Sequence, residues 1–371
     1  MKKEITLICK EAPEKLPPVI TAAICLRDCG CEVRMLVSSV DKQLNAHLDS
    51  YGIECTELLP ETPLPRSVVG KIAYWRKFKN AARKTLAKTD GDAYLWICSG
   101  DTALALKDIL HDRKYTLHLH ELYDRYPFYK KRLERYAKNA EHVIVPDNAR
   151  AVIFRYWYNL ETTPVVIPNK PFFEELDKRL EDVSPANYAL LQRLKSKKII
   201  LYQAKMIRMK LFDVAEALKQ LGDEYVLGLL GDIRDTQMVD ELLKRYDNVV
   251  HFEYMIPPYH LLLTREARIG ILTYNYESLN NIFCAPNKVW EYSKFGIPML
   301  ANNLPVLKMQ LESFRAGASY EFNDPESIKR GIRTIEDSYD EYKAGSSALY
   351  ASVNMRELYR SILDKDIFKN G

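Results

Sequence analysis

The sequence predicts an α/β protein made of two doubly wound domains, each a parallel sheet covered by helices. Three observations carry this. Short β-rich apolar runs alternate with helix-length stretches along the chain, as consecutive βαβ units do. The alternation pauses once, at Ile167-Pro168-Asn169-Lys170-Pro171, and then restarts. At 371 residues the chain exceeds one ordinary core and suits two.

In the first half, strands are predicted at Ile5–Cys9, Glu32–Val37, Ala93–Cys98, Tyr115–His118 and His142–Val145. Helix-length stretches separate them, including Pro18–Cys29, Lys71–Lys88 and Thr102–His111. A charged connector runs from Phe172 to Lys198, and strands resume at Lys198–Tyr202, Tyr225–Leu230, Val249–Phe252, Ile269–Thr273 and Pro298–Ala301. The tail from Tyr350 to Lys369 reads as a helix with no strand to follow. The expected organisation is a first Rossmann-like domain over 1–170, a linker over 171–196 and a second Rossmann-like domain over 197–348. A closing segment, 349–371, is expected to return to the first domain. Such sheets bind ligands at the carboxyl ends of their strands, near the topological switch point. The two domains are expected to face a central cleft that holds the site.

Composition is globular, with 47% hydrophobic and 28% charged residues. No apolar run approaches the roughly 18 residues that cross a bilayer. Met1–Glu4 leads into only a short apolar stretch, Ile5–Cys9, too short for a signal peptide. A cytoplasmic protein is expected. None of the seven cysteines forms a CxxC pair, and the Cys25, Cys29, Cys31 cluster lacks companions at zinc spacing. Reduced thiols follow. The net charge of +4 is uneven: residues 1–170 carry +6 and the remainder −2. An anionic partner is therefore expected for the first half.

The most informative stretch runs from Asn280 to Pro298. Pro286 suits the start of a helix and Gly296 its end, with Pro298 just beyond. The free N–H groups at its amino end favour an anion such as a diphosphate. Asn287 and Glu291, four apart, share a face. A carboxylate one turn in can accept two ribose hydroxyl hydrogen bonds. A solvated glutamate on a capped helix is the equally plain alternative when this stretch is taken alone. Gln203-Ala204-Lys205-Met206-Ile207-Arg208-Met209-Lys210 tips the balance. After a strand ending at Tyr202, Lys205 and Lys210 flank a strand-to-helix turn, where cations neutralise a leaving pyrophosphate.

These motifs resemble GT-B-fold glycosyltransferases, close to glycosyltransferase family 4 and related bacterial surface-glycan enzymes. APNKVWEYSKFGIPMLANN resembles that family's donor-site helix and YQAKMIRMK its basic phosphate-binding turn. With LLGDI (Leu229–Ile233) and HLHE (His118–Glu121), the motifs cover most of the chain in order. The resemblance implies that Lys205, Lys210, Asn287 and Lys288 hold the donor diphosphate and Glu291 the ribose. It implies that backbone around Met255 and Ile256 meets the base. Asn281, Phe283, Cys284, Ala285 and Pro286 would form the donor-sugar loop. Three departures bear on the sugar contacts and stereochemistry rather than on the nucleotide. Phe283 stands where the family usually has a second Glu, Leu211 where it has Gly, and Lys10–Pro18 replaces a glycine-rich loop.

In the same resemblance a His at a strand end faces the donor sugar. His120 takes that role, with Glu121 as an orienting or acceptor-activating group; a histidine packed at a loop start is the competing reading. Retaining members need no protein nucleophile, so catalysis is expected from positioning and electrostatics. The activity implied is transfer from a nucleoside diphosphate sugar, a UDP-sugar by preference, to a glycan or lipid-linked acceptor, with retention. Asp90-Gly91-Asp92 precedes a strand rather than following one, so a turn explains it and no essential metal or other cofactor is expected.

Two basic segments, 71–88 and 126–139, carry apolar and aromatic stripes beside their lysines and arginines. They suit either packing on the sheet or an anionic membrane surface, which would make the protein peripheral. Nucleic acid is not expected, because no recognition motif accompanies the charge. The alternatives are a non-catalytic glycosyltransferase-like subunit and a nucleotide-sugar epimerase on the same fold. No GxGxxG opens either half, which argues against an NAD enzyme.

Overall fold

The computed structural model describes residues 3–60, 62, 65, 67–88, 93–172, 176, 178–207, 209, 211–233 and 236–364. The chain divides into two compact units. One comprises Met1–Phe172 with Asn354–Gly371, the other Phe173–Val353.

The first unit holds seven parallel strands: β1 (Glu4–Cys9), β2 (Glu32–Val37), β3 (Glu54–Glu57), β4 (Tyr94–Cys98), β5 (Tyr115–His118), β6 (His142–Val145) and β7 (Val165–Val166). Their order is β3-β2-β1-β4-β5-β6-β7. The chain therefore reverses its winding between β1 and β4. The second unit repeats the plan with β8 (Lys198–Ile207), β9 (Tyr225–Ile233), β10 (Val249–Phe252), β11 (Ile269–Leu272), β12 (Met299–Asn302) and β13 (Gly317–Tyr320). The order β10-β9-β8-β11-β12-β13 puts its reversal between β8 and β11. Each unit is a Rossmann-like doubly wound sheet.

Central strands are buried on both faces and so read as continuous apolar runs. In β8, Ile200 and Tyr202 join one core cluster, while Ile199 and Leu201 join the cluster on the other face. Three strands at sheet edges were not expected: β3 and β13 carry small and polar residues, as solvent on one side permits, and β7 is only the two residues Val165–Val166. The tail also departs from expectation. Tyr339–Ala351 and Met355–Asp364 are separate helices, broken at 352–354, where Asn354 Oδ1 accepts from the Glu357 N–H. Met355–Asp364 packs on the Pro17–Asp28 helix, and Tyr359 lies 5.8 Å from the Trp96 ring.

The two basic segments form helices Val68–Leu86 and Pro127–Asn139. Their stripes serve the core first: Phe78, Ala82, Leu86 and Leu133 are buried. At their amino ends, however, Val68, Val69, Ile72, Tyr126 and Phe128 are exposed. Among the described residues, no helix is long and apolar enough to cross a membrane. None of the seven cysteines is in a disulfide. Asp90-Gly91-Asp92 lies outside the described residues.

Candidate functional site

In the second unit, the carboxyl ends of β8 and β11 define the switch point. β8 does not stop at Tyr202, as the sequence suggested, but continues to Ile207 and pairs there with Asp232 and Ile233 of β9. Its register shifts between Gln203 and Met206. Gly231 makes this possible. Its φ is +150°, and a Cβ there would stand 1.9 Å from the Ala204 carbonyl oxygen, so no other residue fits. Lys205 accordingly lies within the extended strand, exposed, rather than in a turn after it. Lys210 lies outside the described residues.

The helix Asn287–Lys294 packs beside this edge. Tyr292 anchors it, donating from its hydroxyl to the Leu201 carbonyl at 2.8 Å. Gly270 of β11 leaves room for that ring, since a Cβ would come within 2.5 Å of it. Pro286 is the N-cap in extended conformation and supplies no side-chain cap; the Val289 N–H turns back to the Pro286 carbonyl at 3.3 Å, while the first N–H groups of any α-helix have no acceptor four residues earlier within the helix.

Glu291 is buried one turn in, 8% exposed. Its Oε2 accepts from Gln203 Nε2, and His260 Nε2 lies 3.4 Å from Oε1. Thr264 donates to Gln203 Oε1 at 2.7 Å, which fixes the amide with its NH₂ toward the carboxylate. His260 Nδ1 is buried with no partner among the described residues. On the same helix, the Lys288 ammonium stands 5.5 Å from the ring centroids of both Tyr202 and Tyr274. Burial lowers its pKa below the usual lysine range, with Glu291 and Cys284 opposing. Asn287 is half-buried on the same first turn. Gln203, within β8, is thus the partner that orients Glu291, and in the sequence it reads only as the start of the basic segment. His260, Thr264, Tyr202 and Tyr274 join it only through tertiary packing.

The expected sugar loop is more structural than open. Asn281 donates from its side chain to Asn275 Oδ1 at 2.5 Å and from its backbone to Ser278 Oγ at 3.2 Å. Cys284 is buried in the core, while Phe283, Ala285 and Pro286 are half-buried. Met255 is a core residue, whereas Ile256 is exposed.

In the first unit, His118 and His120 leave β5 on one face, as alternation requires, with ring centroids 4.1 Å apart. His120 Nδ1 lies 3.2 Å from Asn169 Oδ1. An amide oxygen only accepts, so Nδ1 carries the proton and Nε2 is bare. Burial lowers the His120 pKa to about 4, with Asn169 opposing and Arg150 adding to the fall. Arg150 donates to the His120 carbonyl. At neutral pH this imidazole is a hydrogen-bond acceptor and a weak base. His118 is also held well below the usual range, by burial first and by His120 second. Glu121 is exposed. Asn169 comes from the proline-marked segment where the strand alternation pauses.

No protein-family model and no curated protein matches the sequence. Solved structures do. The Anabaena protein Alr3699/HepE, in complex with UDP and glucose, superposes with a TM-score of 0.72 at 14% identity over 98% of each chain. The fold is that of the GT-B glycosyltransferases. A glycosyltransferase from Rickettsia africae gives 0.70 at 16% identity over the whole of both chains. A Listeria monocytogenes protein named as a UDP-N-acetylglucosamine 2-epimerase gives 0.60 at 12%, covering 98% of this chain and 95% of its own.

Proposed function

We propose that this protein is a glycosyltransferase that takes a sugar from a nucleoside diphosphate sugar, UDP-linked by preference. One observation carries the reading. At the switch point of the second sheet, one helix turn presents its amino end without a side-chain cap, the Lys288 ammonium and the Glu291 carboxylate, held by Gln203. A diphosphate suits the first two and a ribose the third. The full-length likeness to a protein with UDP and glucose bound supports the choice of nucleotide.

In this mechanism the bond between the sugar C1 and the diphosphate oxygen breaks as the acceptor hydroxyl attacks. Lys288 and the helix N–H groups stabilise the charge that develops on the leaving diphosphate, joined by Lys205 and Lys210. An anion beside Lys288 also favours its protonated form, against the effect of burial. In the first unit, neutral His120 offers Nε2 as an acceptor of the kind a sugar hydroxyl can meet. The leaving phosphate oxygen takes the acceptor proton, which places the new bond on the face the old one left, with retention. No metal is required by this scheme.

We further propose that the first unit rests on an anionic membrane surface presenting a lipid-linked acceptor. Val68, Val69, Ile72, Tyr126 and Phe128 supply exposed apolar contacts. Among the described residues, Lys71, Arg76, Lys77 and Lys131 around them make no ion pair. Failure to co-sediment with phosphatidylglycerol vesicles at low salt would remove this part.

The test of the activity is a panel of nucleoside diphosphate sugars, read first by thermal stabilisation and then by NMR. One sugar nucleotide should raise the melting temperature and slowly release its nucleoside diphosphate. A changed sugar configuration without transfer to any acceptor would favour the epimerase reading. Binding without any turnover would favour a non-catalytic subunit.

A further inference from the structure

The first unit has its own switch point, where β1 and β4 run side by side and the winding reverses. The residues just beyond these strands are charged. Lys10 follows β1 and is 5% exposed; its backbone N–H donates to Thr102 Oγ1 at 2.9 Å. Its ammonium lies 3.6 Å from Asp101 and 3.8 Å from Glu11. These are ion-pair separations, too long for hydrogen bonds. The ammonium is therefore held by these two ion pairs rather than by a short hydrogen bond.

Aromatic groups border the same place. The Lys10 ammonium is 5.2 Å from the centroid of the half-buried Trp75 ring. Trp75 meets Tyr129 edge-on at 6.3 Å. The Tyr129 hydroxyl is buried without a hydrogen-bond partner among the described residues. Glu11 and Asp101 nonetheless keep 39% and 32% side-chain exposure, so the cluster reaches solvent. None of these groups has a role in the chemistry above.

An ammonium held only by long ion pairs, reachable carboxylates, an orphan hydroxyl and an aromatic face are together what a pyranose ring requires. Its hydroxyls take charge-assisted hydrogen bonds, and its C–H face packs on indole. The charges also choose among sugars. The cations acting on Asp101 are Lys10 and Lys71, and the neighbouring anion is Glu11, so two positive charges balance two negative ones. An anionic sugar would bring an uncompensated charge beside a partly buried, already balanced cluster, at a desolvation cost a neutral one avoids.

We propose that Lys10, Asp101, Trp75 and Tyr129 form a subsite for a neutral pyranose ring of the acceptor glycan. This rests on the reading of the protein as a glycosyltransferase, and the test separates the two. Saturation-transfer NMR on the full chain would use methyl glucoside, methyl galactoside, their β-linked disaccharides and methyl glucuronide. The neutral glycosides should bind more tightly than the glucuronide. Trp75→Ala and Asp101→Asn should each weaken them roughly tenfold, and Tyr129→Phe, which removes one oxygen, about fivefold. Trp75→Phe should recover part of the loss. UDP affinity, measured in parallel, should not change in any variant.

Unaltered glycoside binding in Trp75→Ala and Tyr129→Phe overturns the subsite, as does stronger binding of the glucuronide or no glycoside binding at all. Glycoside binding that responds to these variants in a protein that binds no nucleotide supports the subsite and sinks the glycosyltransferase reading instead.

Discussion

Glu291→Gln is the sharpest perturbation of the donor site. The substitution keeps the shape and one acceptor oxygen but removes the charge that faces Gln203 and His260. A hydrogen bond to a charged group contributes about 1.5–3 kcal/mol net. If one ribose hydroxyl depends on this carboxylate, UDP should bind roughly 10- to 150-fold more weakly. Isothermal titration of wild type and variant with UDP and with 2′-deoxy-UDP completes a cycle. The wild type should lose affinity on removal of the 2′-hydroxyl, and the variant should lose little more. The coupling between the two deletions should exceed about 1 kcal/mol. Additive losses, or UDP affinity within twofold of wild type in a variant that melts normally, would refute ribose recognition by Glu291.

Lys288→Met should weaken UDP at least about tenfold while leaving uridine unchanged, because only the diphosphate meets the ammonium; equal losses for both ligands would place Lys288 elsewhere. His120 has a folded pKa of about 4, below its unfolded value, so its contribution to stability is present above about 6.5 and lost as pH falls toward 4. His120→Gln should therefore flatten that part of the urea-unfolding profile by up to about 3 kcal/mol, and an unchanged slope between pH 7 and about 4.5 would contradict its burial as a neutral base. Gly231→Ala adds a Cβ where the Ala204 carbonyl stands, and should cost at least about 3 kcal/mol with a fall in melting temperature of roughly 6–12 °C. A wild-type melt would mean that the β8 bulge is not fixed by that contact.

Much of the fold was legible because buried parallel strands are apolar on both faces. Ile5–Cys9, Glu32–Val37 and Val249–Phe252 could be read from residue type alone, and the structure has them over nearly the same residues. The edge strand Glu54-Cys55-Thr56-Glu57 could not, since it shows solvent the same residues a loop would, whereas the edge strand Val249–Phe252 carries three large apolar residues. The end of β8 was misjudged for another reason. Its last residues are polar, and only the pairing with Asp232 and Ile233, made possible by Gly231, keeps them in the sheet.

The sequence by itself determined the two doubly wound sheets, because apolar period, helix stops and the proline-marked pause are local signals that survive without a partner. It also marked the helix bearing Lys288 and Glu291, through Pro286 and Gly296. Tertiary structure alone decided what those side chains face. Gln203 and His260 reach Glu291 from separate segments, Thr264 bonds Gln203, and Asn169 reaches His120 across 49 positions of chain. Hydrogen bonds and burial act over a few ångströms of space, and no spacing rule along the chain encodes them.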